Sequence, residues 1–247
     1  MGEEISEERS GQVERVRRPE GKWAAPVESL HVHESVEGAD PTTVEGRRIS
    51  GPLQGFGRLW QKTYRVRLEG AEVTPEQVIA AWKEDYGSFW PATSRFCAPI
   101  SGVTPGEVAL ISDRAPGGLR LSTGVLVLYA DEVSFTFLCP EGHPFAGMIT
   151  FSAQHDDDGV TVAQVQAIIR AQDPLVELTM PFYTQRQEDK VWQHVLTALA
   201  AHFGGADAQV STDAVCVDSK RQWQRFGNVR HNAGLYALTR AFRRRRS

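Results

Sequence analysis

No apolar run in this chain approaches the ~20 consecutive residues that a helix needs to cross a bilayer, so a helical membrane span is not expected. Cysteine is scarce. Cys97, Cys139 and Cys216 lie far apart and form no CxxC pair, which argues against a disulfide framework and for a reduced, cytoplasmic setting. The first residues, Met1-Gly-Glu-Glu-Ile-Ser-Glu-Glu8, are acidic and lack the apolar core of a secretory signal. The sequence offers no donor set that calls for a metal or an organic cofactor, and neither is expected.

What is present is an ordinary globular composition, with 41% hydrophobic and 23% charged residues. At 247 residues the chain fits one domain with tails. Charge is unevenly spread. Residues 219–247 hold nine bases and no acid, a balance of +9; the remaining 18 bases and 31 acids (27 − 9 = 18) leave residues 1–218 at −13. A net charge of −4 argues against a dedicated nucleic-acid binder, but the basic end could touch an anionic membrane surface.

Residues 1–50 carry eleven acids, seven bases and few large apolar side chains, with no period. They read as a disordered acidic tail. Gly51-Pro-Leu-Gln-Gly-Phe-Gly57 marks entry into a domain spanning 51–205. Leu59–Leu68 alternates as a strand. Thr74-Pro-Glu-Gln77 carries the residues of a capping box with proline at the first helical position, and Val78, Ile79, Trp82 and Tyr86 follow at helical spacing. Six strands are then expected, Val108–Ser112, Leu119–Ser122, Val125–Tyr129, Val133–Leu138, Phe145–Ala153 and Val160–Ala171, joined by short turns in one antiparallel meander. A final helix over Gln187–Phe203 places Val191, Trp192, Val195, Leu196, Leu199, His202 and Phe203 on one arc of about 140°. An apolar helix face must cover something, and the curved sheet is the available surface. Residues 206–247 read as a basic, partly helical extension, with a basic helix over Asn232–Arg246.

Gly142-His-Pro-Phe-Ala-Gly-Met-Ile-Thr-Phe-Ser-Ala153, Thr161-Val-Ala-Gln-Val-Gln166 with Arg170-Ala-Gln-Asp-Pro174, and Glu188-Asp-Lys-Val-Trp-Gln-His194 with Ala198–Gly204 carry a family likeness. With the element order, they resemble the SRPBCC or START-like superfamily, in an uncharacterised bacterial branch. The resemblance covers roughly Leu59–Gly204. It implies an α+β helix-grip fold, a curved antiparallel sheet closed by a long C-terminal helix, and a cavity between them for a lipid-, polyketide- or aromatic-like molecule. It carries over no catalytic residue.

The residues themselves suggest where such a cavity would lie. In Val160–Ala171 the odd positions (Thr161, Ala163, Val165, Ala167, Ile169, Ala171) are apolar but small, leaving space beneath a helix. The lining expected is Trp82, Tyr86, Phe135, Phe137, Phe145, Ile149, Phe151, Val165, Ala167, Ile169, Trp192, Val195, Leu199 and His202. A solid core is the competing reading, since protein interiors are close-packed. A cyclase- or hydrolase-like enzyme using His202 or Arg170 is the alternative function, and a partner- or membrane-binding module built on residues 219–247 is a third. The residues do not establish catalysis, and they favour binding. Cys139 and His143 could form a nucleophile–base pair, and His31-Val-His33 could chelate a metal; a turn and a solvated segment explain them more simply. Ligand identity and oligomeric state carry no signal.

Overall fold

The computed structural model describes residues 21–32, 40–97, 99, 101–114, 120–180, 185–205 and 208–236. Strand β1 (Leu59–Arg67) leads into helix α1 (Pro75–Glu84) and a 3-10 turn, Tyr86–Phe89. The meander follows: β2 (Ser94–Cys97), β3 (Val108–Arg114), β4 (Arg120–Ala130), β5 (Ser134–Leu138), β6 (Phe145–His155) and β7 (Thr161–Ala171). A short α2 (Pro174–Thr179) and the long α3 (Gln185–His202) come next, then β8 (Val210–Asp218) and a 3-10 segment, Trp223–His231. The eight strands form one unclosed antiparallel sheet in the order β2-β3-β4-β5-β6-β7-β1-β8. With α3 lying across β1 and β7, this is the α+β arrangement expected from the sequence, an antiparallel sheet covered by a long helix.

Local chemistry sets the elements that position the core. Thr74 Oγ1 accepts from Gln77 N–H, and Gln77 Oε1 accepts from Thr74 N–H at 2.9 Å, closing the capping box that starts α1. Asp173 Oδ1 accepts from the N–H groups of Leu175 and Val176 and starts α2. Gly204, at φ +90°, stops α3 in the left-handed conformation that glycine adopts without strain.

Each buried strand presents one set of alternate residues to the helices. Across the sheet, Lys62, Ala167, Ile149 and Phe137 face one another in one row, and Tyr64, Val165, Phe151 and Phe135 in the next. Trp82 and Tyr86 lie over the second row, with rings 5.3 Å and 5.4 Å from Phe151.

The opposite face is also covered, by part of the expected N-terminal tail, of which residues 1–20 and 33–39 lie outside the described residues. Residues 21–32 and 40–50 pack on it: Leu30 and Val44 are buried against Cys97, Val108, Leu110, Leu126 and Leu138. Backbone bonds from Ala24 to Leu128, Ser50 to Cys139 and Gly147 to Ser50 hold the segment down. The strands carry the reason, because Val108-Ala-Leu-Ile111 and Val125-Leu-Val-Leu128 are continuous apolar runs, the pattern of strands buried on both faces.

The C-terminal extension is likewise structured. β8 adds an edge strand to β1, and Trp223 and Phe226 pack edge-on against Phe56. Asn228 donates to the carbonyls of Gln54 and Gln172. The expected Asn232–Arg246 helix begins at Asn232, whose Oδ1 accepts from Gly234 and Leu235, and lies from 237 onward outside the described residues. Leu119–Ser122 and Val125–Tyr129 are parts of the single strand β4. Among the described residues, no helix is long and apolar enough to cross a membrane.

Candidate functional site

The space between the sheet and α3 is the site the sequence points to, and strand parity sets which side chains face it. Thirteen of the fourteen expected lining residues (all but His202) belong to one buried cluster on that face. Trp82, Phe135, Phe151, Val165, Ala167, Ile169, Val195 and Leu199 have no solvent exposure. Phe145 and Ile149 retain 9% and 8%.

His202 is the exception. It is exposed in the last turn of α3, edge-on to Phe89 at 5.6 Å. The helical wheel gives its angle about the axis but not how far the core extends along the axis, and the buried stretch of α3 stops at Ala200. Arg170 is buried, but on the opposite face. Its guanidinium donates to the carbonyls of Pro52 (2.9 Å), Gly57 (2.7 Å) and Lys220 (3.0 Å) and to Asp218 Oδ2. It fastens both chain extensions to the sheet and has no free fork for a ligand. Gln164, on that same face, accepts from Arg65.

The rings near α1 touch directly. Tyr86 meets Phe96 at 4.4 Å and Phe137 at 5.3 Å, and Phe135 stacks on Phe151 at 4.7 Å. That half of the inner face is an aromatic core. The other half carries smaller groups. Ala167 sits between Lys62 and Ile149, and Gly147 lies beside Ile169 in the next row. Gly147 has φ +147°, and a Cβ there would come within 2.1 Å of the Ile168 carbonyl, so this position excludes any side chain.

Over this half lies a buried charge cluster that sequence reasoning missed. Lys62 Nζ donates to Glu188 Oε2 at 2.9 Å and to Asp189 Oδ1 at 2.8 Å, and Tyr64 Oη donates to Asp189 Oδ1 at 2.6 Å. Lys62 and Glu188 are almost wholly buried, while Asp189 is about one-third exposed. Burial raises the Glu188 carboxyl above its ordinary range, with the Lys62 ammonium opposing that shift. Burial, with the nearby carboxylates, holds the Tyr64 phenol protonated. Burial, helped by the Glu188 charge, also raises the thiol of Cys139, just beyond the end of β5. The available signal was parity. Lys62 occupies the alternation Trp60, Lys62, Tyr64, Val66, and Glu188 lies one turn before Trp192.

The other candidates lose their chemistry. Burial drives the Cys139 thiol up and the His143 imidazole down to about 4, so both are neutral, the opposite of a thiolate–imidazolium pair. His143 Nδ1 accepts from the Phe145 N–H. His31 pairs with Glu45, and His33 lies outside the described residues. The Asp156–Asp158 tip pairs with Arg67.

Similarity to known proteins is distant at the level of solved structures. A START superfamily protein from Mycobacterium smegmatis shares 16% identity over 60% of this chain and 98% of its own, with a TM-score of 0.40. Ara h 8.0201 shares 12% over 59% and 97%, at 0.43. The di-domain ARO/CYC StfQ from the steffimycin biosynthetic pathway shares 9% over 60% and 51%, at 0.45. No curated protein matches the chain. A family model described as "Domain of unknown function (DUF1990)" matches residues 63–197, from β1 through most of α3 and more than half of the sequence, and the chain therefore belongs to the DUF1990 family.

Proposed function

We propose that this protein binds an apolar small molecule, lipid-, polyketide- or aromatic-like, between α3 and the small-residue half of the inner sheet face. The observation that carries the reading is the row Lys62–Ala167–Ile149–Phe137, which Glu188 of α3 meets through Lys62. Its middle is an alanine, glycine follows in the next row, and the flanking Phe145 and Ile149 keep residual access to water. A ligand bounded by Ile149, Ile169, Phe145 and Trp192 would gain roughly 25 cal/mol per Å² of apolar surface buried, before ordering costs. The enzyme reading is weaker, because its two candidate groups, His202 and Arg170, lie away from this face.

Extraction of the purified protein followed by mass spectrometry of the organic phase should recover a bound apolar molecule. Ala167→Phe would fill the space. The variant should fold with near-normal stability and lose the ligand. An empty wild-type extract, together with an Ala167→Phe chain destabilised by the roughly 1–3 kcal/mol of an overpacked core, would make this region solid packing.

A further inference from the structure

Of the eleven large hydrophobic side chains left exposed among the described residues, seven lie on three segments: 52–58, α2 and 220–236. Leu53 and Leu178 are each 72% exposed and Trp223 is 68% exposed; Phe226, Leu175, Leu235 and Tyr236 complete the set. The three segments are tied into one surface. Gln222 N–H donates to the Phe56 carbonyl at 2.7 Å, and the Trp223 and Phe226 rings meet Phe56 edge-on. Asn228 donates to the carbonyls of Gln54 and Gln172, Arg221 to Glu177 at 2.9 Å, and Asn232 to Asp173 at 2.7 Å. Single exposed apolar side chains are ordinary on a protein surface, whereas a concentration on linked segments marks an interaction site.

The exposed charge on this surface has one sign. Arg58, Lys220, Arg221, Arg225 and Arg230 are exposed, and segments 52–58 and 220–236 contain no carboxylate. The two carboxylates at α2, Asp173 and Glu177, are buried and bonded to Asn232 and Arg221. At the border, Asp218 and Glu141 are taken up by Arg170 and Arg48. The whole chain carries −4, so this positive surface is a local concentration. A second copy of the chain would bring five cations against five. A nucleic acid would meet the cations and stack on Trp223, but it offers little to four exposed leucines. A bilayer with anionic headgroups matches both properties. Leucines enter the acyl boundary, tryptophan sits at headgroup level, and the cations meet the negative surface potential. We propose that residues 52–58, α2 and residues 220–236 together form a docking surface for an anionic lipid bilayer. Most of this surface lies outside the family match over residues 63–197, and it requires no ligand between the sheet and α3.

Co-sedimentation of the full chain with phosphatidylcholine vesicles, with and without about 30% phosphatidylserine in about 0.1 M salt, tests the proposal. Binding should be at least about tenfold tighter to the anionic vesicles and should weaken as salt rises. Leu53→Gln/Leu178→Gln changes two side chains that stand largely in water, so its Tm should match the wild type while vesicle binding falls at least about tenfold. Arg225→Gln should lower binding about fivefold, the effect of one cation at an anionic surface. Trp23→Phe, beside Tyr129 of β4, should change nothing. Residues 237–247 contain five arginines, and attraction through that charge alone would leave the double leucine variant bound as tightly as the wild type. That result would overturn the proposal. Absence of binding to either vesicle, or equal binding to both, would overturn it as well. Tighter binding of single-stranded RNA than of anionic vesicles would assign the surface to nucleic acid instead.

Discussion

Removing the Lys62 ammonium tests the buried charge cluster at the point where the structure makes it most costly. In Lys62→Met the Glu188 carboxyl loses its hydrogen-bond partner on Oε2 and its countercharge. Asp189 is cushioned, because it keeps the Tyr64 hydroxyl and is about one-third exposed. The cost therefore falls on Glu188. Stranding one member of a buried pair costs about 3–5 kcal/mol, which in a domain of this size lowers Tm by roughly 6–20 °C. The double variant Lys62→Met/Glu188→Met removes both charges and should recover most of that loss, because apolar replacements of buried pairs are often neutral. Urea unfolding of the wild type, both single variants and the double variant gives the coupling directly. The pH response has a definite sign. Burial raises the folded-state pKa of Glu188 above its unfolded value, so the folded state holds the proton more tightly. The destabilisation of Lys62→Met should therefore shrink as pH falls from neutral toward the ordinary carboxylate range. A single variant costing less than about 1 kcal/mol, or strictly additive losses in the double, would refute the reasoning.

Three further outcomes follow from other parts of the molecule. His143 is held down to about 4 from 6.5 by burial, so its contribution is complete above pH 6.5 and lost as pH falls through 4. Wild-type protein should lose roughly 3 kcal/mol more than His143→Gln between pH 7.5 and 4, measured by urea unfolding, and parallel curves would contradict this. Arg170→Leu should destabilise the fold, because it strands the carbonyls of Pro52, Gly57 and Lys220, and should open residues 52–57 and 218–220 to limited proteolysis. Arg170→Lys should fail similarly because a lysine cannot serve four acceptors at once. Gly147→Ala should cost more than about 2 kcal/mol, against about 1 kcal/mol for Gly159→Ala, whose positive φ faces open space. Equal thermal shifts in the two glycine variants would remove the close approach as the cause.

Period and capping chemistry made much of this fold legible in advance. Thr74-Pro-Glu-Gln77 specified the start of α1, and the alternation in Thr161–Ala171 specified which residues face the helices. The segments that were misread have no period to read. Residues 21–32 and 40–50 cover the sheet with widely spaced single anchors such as Leu30 and Val44, and their partners are apolar positions on strands that look unremarkable alone. β8 is exposed along most of its length and belongs to the sheet through backbone pairing with β1, which side-chain patterning cannot reveal. At the candidate site the apolar wall was readable from parity, but the polar groups were not. Lys62 reads as an interruption of a strand until its register beside Ala167 and beneath Glu188 is known. His202 failed for the converse reason, since a wheel projects a helix onto a circle and discards where the core ends.

The indole N–H resonances of the six tryptophans report most directly on whether the inner face binds a ligand. Trp192 bounds the proposed site and meets Trp90 edge to face, while Trp23 and Trp223 are exposed on other surfaces. In a nitrogen–proton correlation spectrum of the wild-type chain titrated with 2-naphthol, the Trp90 and Trp192 indole signals should shift with one common binding curve while those of Trp23 and Trp223 stay fixed. Shifts confined to Trp23 or Trp223, or six unmoved signals at saturating probe, would contradict a binding site between the sheet and α3.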